Sequence, residues 1–239
     1  HLAGARYLYG SEGKEVFDES LGAEETSNEV MGLSLLWTST EEDHPVPFPD
    51  VDWGIRLSEE TCYPVTAGDW ENESGQYRNQ AEEVEYIRDY SLMTTFVNWS
   101  FLKNHFSRKA EWAKRKISWV SPCGGKRESR RFLGDYVMTQ NDIEKEIPVD
   151  DGTASISWSI DLHYPEPENK RRFAEPFRSC AYHRSIPAFR PVPYRCLYAR
   201  DVKNLFLGGR LISLSHVAFS AARVMRTLGM LGEVVAMAA

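Results

Sequence analysis

The chain has 239 residues and a formal net charge of −7, from 28 Lys and Arg against 35 Asp and Glu. Apolar residues make up 42% and charged residues 26%, which excludes disorder along the whole chain. No apolar run approaches the ~18 residues of a membrane helix. The acidic balance disfavours a broad nucleic-acid-binding face.

No basic, apolar and small-residue pattern of a signal peptide stands at the start, which opens at His1 rather than Met. The compartment is therefore left open. Cys62, Cys123, Cys180 and Cys196 are widely spaced, with no Cys-x-x-Cys and no Cys/His cluster of zinc spacing. They read mostly as free thiols, and no metal site is expected. Asn72 and Asn98 head Asn-x-Ser sequons, which matter only in a glycosylating host.

Four zones follow one another. The first, to about Leu36, holds small and acidic segments and then the apolar run Met31 to Trp37, which reads as a buried strand. The second, Thr38 to Gln76, is loop-rich and punctuated by Pro45, Pro47, Pro49 and Pro64. The third predicts one long helix over 77–106, free of Gly and Pro. Its stripe runs through Ala81, Val84, Ile87, Ser91, Thr95, Asn98 and Leu102. A second short helix is expected over Ser107–Lys116. The fourth zone predicts strands over 117–120, 132–138, 154–160, 179–184, 194–199 and 204–208, then a helix from Val217 to the end. Many strands before a terminal strand, loop and helix predict an α+β or α/β fold, with a mixed sheet joined to part of an α/β layer.

The most informative segment is the last. An apolar strand from Val202 ends in Gly208, Gly209 and Arg210, and a loop with Ser215 and His216 leads into a helix of small residues. Glycines at a strand end allow close backbone approach to a ligand, and the same pattern also fits an ordinary β–α turn. His216 at the loop–helix junction either meets a ligand or caps the turn. Arg130 and Arg131 alternate to opposite faces of a strand, so one of them reaches a cavity or pairs with an acid such as Glu128 or Asp135. Arg127 precedes them. Arg223 and Arg226 share a helix face, Arg223 open to a ligand and Arg226 to ion pairing.

The run Pro193–Arg210, with Ser215, His216, Val217, Arg223 and Arg226, resembles the C-terminal flavin motif of FAD-dependent oxidoreductases. The likeness is to the glutathione-reductase-like family whose bacterial members often lack an assigned substrate. Supporting blocks are Gly125–Asp142, Ile87–Asp89 with Trp99–Asn104, and Ala3–Tyr7 with Met31–Ser34. The resemblance implies FAD as cofactor, with Gly208, Gly209, Arg210, Ser215 and Arg223 on the flavin side. The helix N-terminus near Val217 would face the pyrimidine edge of the ring. His216, Arg127 and Arg130 would be catalytic or face a small organic substrate.

The family's Gly-x-Gly-x-x-Gly turn and a Cys-x4-Cys redox pair are both missing from this sequence. On that ground the chain is expected to be a truncated C-terminal part of a longer flavoenzyme, lacking its N-terminal FAD-binding half. Residues 1–200 would be the substrate domain. Residues 201–239 would be the returning strand and helix of a Rossmann-like FAD domain. FAD would then be absent from this chain or weakly bound, and the chain alone inactive. Two other readings stand beside it. One is a carbohydrate-binding or polysaccharide-degrading module using Trp37, Trp53, Trp70 and Trp99. The other is a non-catalytic partner-binding remnant.

Overall fold

The computed structural model describes residues 2–145 and 147–239. Its helices are α1 (Lys14–Phe17), α2 (Val84–Asn104), α3 (Gln140–Glu144), α4 (Pro167–Arg172), α5 (His216–Ala222) and α6 (Met225–Ala238). Between them run short strands gathered into sheets of two or three. Their registers are antiparallel, as in Trp37–Glu41 on Arg115–Val120 and Arg190–Pro193 on Gly152–Ile156. No helix among the described residues is long and apolar enough to cross a membrane.

The fold is thus α+β with small antiparallel sheets, and the expected Rossmann-like element is corrected. No parallel sheet forms among the described residues; the parallel pairings Gly13–Ala23 and Met138–Leu214 are single bridges. The run 204–208 makes only one antiparallel bridge, Tyr198 to Phe206. Asp201, Lys203 and Asn204 before it and Gly208-Gly209 after it are turn-forming residues that bound the apolar stretch Leu205–Leu207.

Two compact units are resolved. The first comprises His1–Met31, Arg127–His163 and Ala181–Ala239; the second comprises Gly32–Lys126 and Tyr164–Cys180. The core of the first gathers Met138, Ile156, Ile160, Leu162, Val192 and Leu214 against α5, all seven of whose residues are buried. Ala218, Ser220, Ala221 and Ala222 keep that helix slim enough to sit wholly inside. The single terminal helix expected from Val217 breaks in two. Arg223 turns inward to Asp161, and Val224 takes an extended conformation (φ −68°, ψ 142°) before α6 starts.

A buried ion cluster ties this unit together. Arg131, fully buried, donates to Glu12 (Nη2–Oε1 2.9 Å, Nη1–Oε2 3.1 Å), to the Leu214 carbonyl (3.0 Å) and to the Gly10 carbonyl. Its Nε lies 3.1 Å from Glu128 Oε1. Gly10 sits at φ +82°, where a side chain would drive into the Ser27 carbonyl, so only glycine places that acceptor cheaply.

In the second unit, Trp37, Trp99, Leu102, Phe106 and Trp112 form the core, with Trp37 and Trp99 edge to face at 5.4 Å. Ile87, Ser91, Thr95, Asn98 and Leu102 are buried along α2, as the stripe predicts. The helix starts at Val84 instead of residue 77. Asn79 and Glu83 close a turn first: the Glu82 and Glu83 amides donate to the Asn79 carbonyl, and the Asn79 amide to Glu83 Oε2 (2.9 Å). In place of the second helix stand a 3-10 turn, Lys109–Glu111, and the strand Arg115–Val120. Asn72 and Asn98 are buried and bonded to the Leu35 and Tyr63 backbone, so neither sequon presents its amide to solvent. All four cysteines are free.

Replacing Arg131 by Met strands Glu12 and Glu128 in the interior without their cation. The expected loss is about 3–5 kcal/mol of unfolding free energy, read from urea denaturation. An unchanged midpoint would show that the cluster does not hold the unit.

Candidate functional site

The Gly208–Arg210 turn projects because its flanks are pinned. Leu207 donates to the Leu197 carbonyl (2.7 Å), Ser213 to Cys196 (3.0 Å) and Ser215 to Met138 (2.9 Å). Between these anchors Gly208 is exposed, and Gly209 stands at φ +84°. A Cβ built on either glycine meets nothing within 4 Å, so the backbone faces open space. Arg210 Nε donates to the Arg223 carbonyl (3.3 Å). Partial desolvation, and then the nearby charge of Arg127, push the Arg210 guanidinium below its ordinary value. Two cations therefore lie close to one open turn. Elsewhere in the first unit Ser213 Oγ and Thr227 Oγ1 are buried with no hydrogen-bond partner.

His216 and Ser215 lie in the buried polar cluster. Ser215 caps α5 by accepting from the Ala218 amide (3.1 Å), and its hydroxyl donates to Glu19 (2.5 Å). The His216 amide donates to Glu12 (2.8 Å). The first donors of α5 are thus met by the chain's own side chains. His216 Nδ1 pairs with Glu128 Oε1 (3.0 Å), while Glu128 Oε2 accepts from the Met31 amide (3.1 Å). Burial works to raise the Glu128 carboxyl, but His216, Arg131 and the Met31 amide outweigh it and hold it below the usual range. Glu19 goes the other way: burial raises it, against the lowering bonds from Ser215 and Gln140.

A third group surrounds Asp161. Arg223 Nη2 donates to its Oδ2 (2.7 Å), while His163 Nε2 and His183 Nδ1 approach Oδ1 at 3.3 and 3.4 Å. Burial acts to raise this carboxyl, yet His163, Arg223 and His183 hold it low.

The structure therefore brings Gly208, Gly209, Arg210, Arg127 and Arg223 together, and places Ser215 and His216 in the ion cluster. Arg130 lies over the Tyr7 ring (5.2 Å to the centroid), and its neighbour Arg131 takes the buried carboxylates. Arg226 is exposed. Sequence reasoning missed Glu12, Glu19, Asp161, His163 and His183. Only the Asp-x-His spacing of Asp161 and His163, which puts both on one face of a strand, could have flagged any of them. In the second unit a cavity of about 490 Å³ is walled by Val51, Ile55, Leu57, Val97 and Phe101 with Asp52 and Arg56, a size that suits a small molecule. Among the described residues no group of three His, Cys, Asp or Glu side chains is placed to hold a metal ion.

A family model described as FAD dependent oxidoreductase matches residues 1–239. The chain belongs to the FAD-dependent oxidoreductase family. No curated protein and no solved structure matches it. The family match corrects two expectations. The likeness is not confined to a C-terminal remnant, since it runs the length of the chain. For the same reason, the idea that FAD is absent or weakly bound loses its basis. The residues fit such a cofactor: the glycine pair leaves room for a flat group, and Arg127 and Arg210 offer charge to an anionic one.

Glu19 gives a pH test. Its carboxyl is raised above the ordinary 4.5, so its contribution to stability is full below that value and lost as pH rises through the folded-state value. Glu19→Gln keeps an acceptor for Ser215 and Gln140 without the buried charge. It should stabilise the protein at pH 7, with the gain vanishing towards pH 4 in thermal unfolding. A gain that grew on acidification would refute the assignment.

Proposed function

We propose that the chain catalyses hydride transfer between FAD and a small organic substrate, with the cofactor held at the Gly208–Arg210 turn. The observation that carries the reading is this turn: an open glycine pair beside two guanidinium groups, in a chain whose whole length matches the family. When bound, the flavin supplies the two-electron chemistry, and the protein supplies orientation and electrostatics.

Each residue's part follows from its surroundings. Gly208 and Gly209 let the backbone come within contact distance of a ring or ribityl chain. Arg210 and Arg127 neutralise anionic charge on the cofactor, and Arg130, over Tyr7, offers a cation towards an anionic substrate. The Arg223 carbonyl fixes Arg210 by accepting a hydrogen bond from its Nε–H, while the Arg223 guanidinium is anchored on Asp161. Ser215 fixes the start of α5, and with it His216. His216 is clamped at Nδ1 by Glu128, which leaves Nε2 as the nitrogen to meet a ligand.

Gly208→Val separates this site from the fold. The added side chain has open space, so the unfolding midpoint should hold, while FAD approach is blocked. Fluorescence titration with FAD should show saturable binding to the wild type and at least tenfold weaker binding to Gly208→Val and to Arg210→Ala. Equal binding by all three would remove the turn from the FAD site.

A further inference from the structure

We propose that the cavity of about 490 Å³ in the second unit binds an apolar α-amino acid as its zwitterion. The ligand's carboxylate lies on Arg56, its ammonium on Asp52 and its side chain on the apolar wall. The inference goes beyond the hydride-transfer reading and stands without it, since binding here breaks no bond and needs no cofactor.

The cavity stays open because of the way its roof is tied down. Its floor is α2 from Val97 to Phe101, with His105 just past the helix end, and its roof is the loop of residues 51–57. At the near end the Val51 amide donates to Ser100 Oγ (2.8 Å), which itself donates to the Pro49 carbonyl (3.1 Å). Asn104 Nδ2 adds a bond to the Phe48 carbonyl (3.3 Å). In the middle Gly54 lies against α2, where an added Cβ would stand 2.6 Å from Met93 Sδ. At the far end Ser107 Oγ donates to Glu59 Oε2 (3.1 Å). The Tyr63 amide then donates to Asn98 Oδ1, and Asn98 Nδ2 to the Tyr63 carbonyl, both at 2.8 Å. A loop fixed at three places cannot sink onto the helix. Val51, Ile55 and Leu57 therefore stay half-buried over Val97 and Phe101, and an apolar group of a ligand would complete their burial.

Charge at the cavity sets the ligand class. Ser100 is spent on the loop backbone, and His105 Nε2 lies on Asp50 Oδ1 (2.7 Å), so that imidazole and that carboxylate answer each other. Asp52 and Arg56 differ. Both line the cavity, both are exposed, and neither makes a hydrogen bond or ion pair among the described residues. An apolar carboxylate would meet Arg56 but bring a like charge to Asp52, and an apolar amine would do the reverse. An α-amino acid meets both, because its two charges flank one carbon and the two protein charges stand on one loop, four residues apart. Its apolar side chain then reaches the wall that neither charge touches.

The test uses the full chain without added FAD, followed by amide NMR during titration with leucine and with phenylalanine. Saturable shifts should gather at residues 51–57 and 97–105. Glycine, which lacks the apolar group, and hydrocinnamate and phenethylamine, which each lack one charge, should bind at least about tenfold more weakly than phenylalanine. Arg56→Gln and Asp52→Asn should each weaken phenylalanine by about tenfold. Their unfolding midpoints should hold, since neither side chain is tied into the fold. Asp52→Asn should also tighten hydrocinnamate, because the like charge is gone. No saturable shift at residues 51–57 with either amino acid would overturn the site. Binding of hydrocinnamate or phenethylamine as tight as that of phenylalanine would overturn the zwitterion, and undiminished binding by both variants would overturn the roles of Asp52 and Arg56.

Discussion

The first unit depends on one buried guanidinium. Arg131 has no solvent to turn to, so its charge is met by Glu12 and Glu128 and its remaining donors by the Gly10 and Leu214 carbonyls. Desolvating a cation and several carboxylates is costly, and the cost is offset only when every partner is in place. That makes the cluster a geometric constraint. The N-terminal segment around Gly10–Glu12, the strand at Arg131–Phe132 and the loop before α5 must meet at one point. Glu128 and Glu12 then pass the constraint on to the side chain and backbone of His216.

The open turn is a consequence of the same pinning. With Leu207, Ser213 and Ser215 bonded to segments beneath, the chain between them can only bow outwards, and it does so at two glycines and an arginine. The start of α5 is already satisfied by Ser215 and Glu12. An anionic ligand would therefore be recognised by the glycine backbone and by Arg210 and Arg127, rather than by the helix end. Arg223 connects this surface to Asp161, so one residue serves both the turn and the histidine pair.

Local signals in the sequence carried well where neighbours in the chain decide the structure. The stripe Ile87, Ser91, Thr95, Asn98 and Leu102 is buried on α2, and the run Ser179–Arg184 is a strand. The alternation of Arg130 and Arg131 sends one guanidinium to an aromatic ring and the other to buried acids. The glycine pair and Arg210 were visible because they interrupt an apolar run. What did not show were pairings between distant segments. Arg131 meets Glu12 across 119 residues, and Asp161 meets Arg223 across 62. The returning strand of a Rossmann-like domain was expected from motif likeness, but the run 204–208 makes a single antiparallel bridge between turn-forming flanks. The early start expected for α2 failed because Asn79 and Glu83 close a competing turn, a side-chain effect that apolar periodicity does not register.

The central claim is that a charge-locked unit offers the Gly208–Arg210 turn to FAD. Amide hydrogen exchange, compared with and without saturating FAD, tests it most directly. Slowed exchange centred on the amides of Gly208, Gly209 and Arg210, with little change around the already protected Arg131 cluster, is the predicted result. Protection confined to the second unit, or none at the turn, would contradict the account.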